Sequence, residues 1–133
     1  MATFLILVTQ PAYDTDTSLQ VHRFVSAALA QQHSVIGVFF HQAGVSHGNS
    51  FMQPLTDEPN HLQHWQDIQQ AGVPLLVCAT AASRRGIQEK TLTHQQHSAA
   101  HSELIGNLHS CFSMSGLTEF AALSAKATRV VQF

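Results

Sequence analysis

A chain of 133 residues with 44% hydrophobic content is long enough to bury one core without metal or disulfide staples, and one domain over residues 1–133 is the default expectation. Six Lys or Arg stand against eight Asp or Glu, and charged residues make up only 11%, which excludes the basic stripe that direct, tight nucleic-acid binding needs. No apolar run approaches the roughly 20 residues that span a bilayer, so no membrane partner is expected.

The opening segment lacks a basic n-region and passes through Phe4–Val8 into Thr9-Gln10-Pro11, so it reads as a buried strand of a cytoplasmic protein. Val21, Phe24, Val25, Ala28 and Leu29 then adopt i, i+3, i+4, i+7, i+8 spacing, which predicts a helix with one apolar stripe. Asp16 or Thr17 can cap its start, and capping is the reading preferred for Asp14 and Asp16 over help to a general base. Ser34–Phe40 is uniformly apolar and rich in β-branched and aromatic residues, as in a parallel strand covered on both faces. The stretch from His41 to Asn49 reads as a loop or a single turn. Leu62, Trp65 and Ile68 mark a second helix from near Asn60, and Gly72 stops it before the strand Val73–Val77.

Cys78 comes directly after that strand and precedes a short helical segment, Ala79–Gly86, with Arg84 and Arg85 at its far end. A sulfur there faces the ligand crevice of an open α/β sheet and the positive end of a helix, and both favour thiolate. The alternative is a buried cysteine acting as a small hydrophobe. Residues 88–109 are polar, His-rich and weakly periodic, which predicts a mobile segment with at most one loose helix. Phe112–Ser115 reads as a short strand, Gly116–Leu123 as a helix and Thr128–Phe133 as a last strand. Strands alternating with helices imply an α/β fold with a parallel sheet and right-handed crossovers.

Few constellations in the chain suit chemistry. Neither G-x-G-x-x-G nor G-x-x-x-x-G-K-[ST] occurs, and the first loop suits flavin poorly, so no nucleotide cofactor is expected. His94, His97 and His101 would share a helical face, yet no acidic residue or second motif completes a metal set; His61 and His64 are weaker still. No metal or organic cofactor is expected. His41 and His47 could approach Cys78 from a neighbouring strand, but read first as surface loop residues. At least one of Arg84 and Arg85 reads as a solvated helix C-terminus. Cys78 and Cys111 could pair, but a reducing compartment is expected to keep both free, with Cys111 a structural thiol before a resolving one. So few charges on the surface point to an oligomer.

Taken together, Thr9–Tyr13, Val38–Val45, Leu75–Gly86, Ser113–Leu117 and Arg129–Phe133 resemble TusD-like sulfurtransferases of the DsrE/DsrF-like family, in order and over nearly the whole chain. The resemblance implies a flavodoxin-like or DsrE-like three-layer sandwich with a mainly parallel central sheet of about five strands. It also implies that Cys78 accepts sulfane sulfur as a persulfide from a TusA-like donor and passes it to a TusE-like acceptor, for 2-thiouridine at the tRNA wobble position. TusB-like and TusC-like subunits, which lack the cysteine, would complete a heterohexamer. Where the family often has glycine this chain has Gln10 and Asp14, and Cys111 has no family role. A DsrE-type carrier of dissimilatory sulfur oxidation and a non-catalytic assembly subunit remain as alternatives.

Overall fold

The computed structural model describes residues 1–94 and 102–133. Five parallel strands form the central sheet: β1 (Thr3–Val8), β2 (Ser34–Phe40), β3 (Leu75–Cys78), β6 (Ser113–Ser115) and β7 (Arg129–Gln132), in the order β6-β3-β2-β1-β7. The chain steps outward from β1 through β2 and β3 to β6, then returns to place β7 on the far side of β1. Helices α1 (Thr17–Ala30) and α2 (His61–Gln70) pack against each other, whereas α4 (Leu117–Lys126) packs on β1 and β2.

Alternation along β2 shows the layers directly. Phe40 meets Trp65 of α2 edge-to-face at 4.9 Å, whereas its neighbour Phe39 meets Phe120 of α4 at 5.0 Å. Successive side chains of a strand point to opposite faces, so the two helices must lie on opposite sides of the sheet. The predicted stripe of α1 holds, with Val21, Val25 and Ala28 buried and Phe24 and Leu29 packed on the core. Trp65 and Ile68 do the same for α2, whose first turn is capped by Asn60: its Oδ1 accepts from the Leu62 amide at 3.1 Å. Asp16 occupies the N-cap position of α1 but makes no side-chain capping bond, so the expected acidic cap is not formed.

Two stretches differ from the sequence reading. His41–Asn49 is no loop: Gln42–Gly48 is a 3-10 helix pressed against the end of β1, and a Cβ on Gly44 would overlap the Val8 carbonyl. The polar 88–109 stretch carries no helix in its described part. It contains β4 (Thr91–His94) and β5 (Ser102–Ile105), paired antiparallel as a second, two-stranded sheet. Its base is anchored where few anchors are expected. Ile87 and Leu108 are buried, and Asn107 donates to the Gly86 carbonyl at 3.1 Å and accepts from the Gln88 amide at 2.9 Å. His94 lies on a strand, which removes the shared helical face with His97 and His101; those two lie outside the described residues.

Candidate functional site at the end of β3

β3 ends at Cys78, and α3 (Ala79–Arg84) begins at the next residue, so Cys78 is both the last strand residue and the N-cap of the helix. The change of backbone direction at that point sets the side chain at the C-terminal edge of the sheet. The flanking strands end beside it: Phe40 pairs with Val77 on β2, and Ser115 pairs with Cys78 on β6. The segments leaving β2 and β6 therefore converge on the sulfur.

An open cleft of about 440 Å³ lies there, lined by His41 and Gln42 after β2, Cys78, Thr80, Ala81, Arg84 and Arg85 of the β3–α3 segment, and Leu117 at the start of α4. Cys78 forms its floor and is only 2% exposed, so it belongs to the hydrophobic core as well as to the cleft. The expected position at the crevice end of the sheet and the burial of a small hydrophobe are both found at this one residue. His41 has a buried Nδ1 with no hydrogen-bond partner among the described residues. Gln42 adopts φ +53°, a left-handed conformation costing a non-glycine residue on the order of 1 kcal/mol. Arg85 Nη1 donates to the Ala81 carbonyl at 3.2 Å, which matches the helix-C-terminus role expected of one arginine; Arg84 is exposed at the cleft wall.

His47 is not the surface residue the sequence suggests. It is 1% exposed, its Nε2 donates to the Gln10 carbonyl at 2.9 Å, and its Nδ1 accepts from Trp65 Nε1 at 3.2 Å. Burial lowers its pKa to about 4, against an opposing contribution from the Gln10 bond, so it is neutral and serves to pin the 3-10 helix to the core. No local signal marks Thr80 or Leu117 as lining the cleft. Only the pairing of β6 with β3 brings Leu117 there.

Cys111 lies in the turn before β6, and both cysteines are free. Ser113, at the start of β6, already sits opposite Leu76, two residues before Cys78. Among the described residues, no group of three or more His, Cys, Asp or Glu side chains could hold a metal ion, and no helix is long and apolar enough to cross a membrane.

A five-stranded parallel α/β sheet with a cysteine at the C-terminal end of an inner strand defines the class of protein. The DsrE/DsrF-like family model matches residues 2–133, and the chain belongs to that family. A protein of Pasteurella multocida (strain Pm70) described as a sulfurtransferase TusD homolog is 42% identical over 132 residues, covering 96% of this chain and 97% of that one. The crystal structure of the ychN protein from E. coli superposes with a TM-score of 0.75 at 19% identity, covering all of both chains. A protein of unknown function from Methanobacterium thermoautotrophicum gives 0.67 at 12%, again over both whole chains.

Proposed function

We propose that this chain is a sulfurtransferase that carries sulfane sulfur as a persulfide on Cys78. The observation that supports this most directly is the cleft itself, where the charged side chains around the sulfur, Arg84 and Arg85, are both cations. A persulfide is an anion at its outer sulfur, so such walls favour it over a neutral thiol adduct. The 42% identity to a sulfurtransferase homologue supports the same reading.

The reaction is thiol–persulfide exchange. The Cys78 thiolate attacks the outer sulfur of a donor persulfide, a new S–S bond forms, and the donor's inner sulfur leaves as thiolate with the electron pair. In the second step the acceptor's thiolate attacks the outer sulfur of the Cys78 persulfide, and Cys78 leaves as thiolate. No electrons are gained or lost overall. His41 lines the same cleft, and its Nδ1 has no hydrogen-bond partner among the described residues.

A TusA-like protein is the proposed donor, a TusE-like protein the acceptor, and 2-thiouridine at the tRNA wobble position the end product. TusB-like and TusC-like subunits complete the proposed heterohexamer. Leu117 and Val130 are 55% and 45% exposed, and α4 has no fully buried residue, which suits a face completed by other subunits. The near-complete burial of Cys78 favours one rival, an assembly subunit whose cysteine is structural.

Intact-mass measurement after incubation with a persulfidated donor separates the two. A gain of one sulfur, about 32 Da, is expected on the wild type and not on Cys78→Ser. A Cys78→Ser variant that assembles and still supports sulfur transfer would leave only the structural reading.

A further inference from the structure

A second pocket, about 120 Å³ in volume, opens between the first turn of α1 and the start of α2, and none of its lining residues belongs to the Cys78 cleft. Two of its polar side chains lack partners among the described residues. His61 is 4% exposed, and neither of its ring nitrogens forms a hydrogen bond of ordinary geometry, although the ring approaches the His47 carbonyl. Tyr13 Oη is also buried without a partner, and its ring meets that of His61 edge-to-face at 4.6 Å. Each unsatisfied buried group costs roughly 1–3 kcal/mol. Tyr13 is held there at φ +69°, another left-handed non-glycine residue. Unsatisfied polar atoms and backbone strain around one cavity are the marks of a site shaped to receive a polar group.

The lining chemistry selects the ligand. Asp16 and Glu58 line the pocket, and no Lys or Arg does. Glu58 lies close enough to help burial raise the pKa of Tyr13, so its charge acts on the pocket. Burial, together with the neighbouring His64 and His109, outweighs the His47 carbonyl and lowers the pKa of His61, leaving a neutral ring with one acceptor nitrogen. An anion would face two carboxylates and gain no cation. A protonated primary amine brings three N–H donors to three acceptors: the His61 nitrogen, Tyr13 Oη and the Glu58 carboxylate. The volume equals that of about four water molecules, enough for an ammonium head and one or two carbons.

We infer that the Tyr13–His61–Glu58 pocket is a binding site for a primary ammonium group, on a free small amine or at the tip of a lysine side chain. The test is titration of the full chain with methylammonium chloride, tracked by the ring ¹⁵N signals of His61 and referenced to sodium chloride at equal ionic strength. A saturable shift is expected, and Tyr13→Phe should weaken it roughly tenfold, the equivalent of one lost hydrogen bond to a charged donor. Tyr13→Phe deletes one oxygen and keeps the ring, so it preserves the fold if His61→Phe does not. Saturation by methylammonium alone assigns the site to free amines; saturation by Nα-acetyllysine amide as well extends it to a side chain. A response no different from sodium chloride, an equal response to sodium acetate, or unchanged binding in Tyr13→Phe would overturn the assignment and leave a water-filled pocket.

Discussion

The two cysteines differ in exposure and in setting, and the two differences run in opposite directions. Cys78 is almost wholly buried, yet it ends an inner strand where three strand termini, a 3-10 helix and two arginines frame an open cleft. Cys111 is more accessible, yet it lies in a turn with its sulfur 3.1 Å from His109 Nδ1, and burial pushes its thiol up to about 11 against a small opposing pull from the local backbone. Chemistry is decided by what surrounds a thiol and what can reach it, more than by how much of it touches water.

The largest test of that contrast is exchange of one cysteine at a time. In the persulfide assay, Cys78→Ser should lose all sulfur uptake while Cys111→Ser keeps the wild-type level. Equal losses would mean that the two regions act together. The next effect concerns Cys111 alone. A rise from the ordinary 9.0 to about 11 leaves roughly one hundred-fold less thiolate near pH 8, so alkylation by iodoacetamide should be slower by that factor and should climb with pH towards 11. A pH-independent rate would place the thiol in another environment.

Two predictions concern the framework that separates the regions, beginning with the histidine that holds the 3-10 helix. The folded-state pKa of His47 is depressed from 6.5 to about 4, so below pH 6.5 the unfolded chain binds the extra proton first. Stability is therefore unaffected above pH 6.5 and falls as pH drops from 6.5 to 4, by about 3 kcal/mol in total from this group. His47→Gln should flatten that part of the pH–stability curve measured by urea unfolding; an unchanged slope would move the effect elsewhere. Gly44→Ala is the smallest change. Overlap of the new methyl with the Val8 carbonyl should cost about 1–3 kcal/mol and displace the 3-10 helix that carries Gln42 to the cleft. A variant as stable as the wild type would show that β1 and this helix are not tightly opposed.

Where the sequence is legible, local signals and burial agree. Ser34–Phe40 has the expected bounds because a uniformly apolar run ends at a polar residue on each side. The strand expected from Val73 begins two residues later, at Leu75, and extends to Cys78. The 88–109 stretch hides its strands because each has only four residues and, among the described residues, they pair only with each other, so neither is long enough to show a period. His47 reads as a surface loop residue in the sequence, since nothing local reveals that Trp65 and Gln10 hold its ring, and nothing local reveals that His61 meets Tyr13.

By itself, the sequence determined the alternation of strands and helices and the position of Cys78 at a strand–helix junction, because each depends on residues adjacent in the chain. Only the tertiary structure decided that β6 lies beside β3, that Leu117 and His41 share a cleft with the sulfur, and that His61 meets Tyr13 at the edge of a second pocket. Those are contacts between residues tens of positions apart. They arise from strand order and packing, which no local pattern encodes.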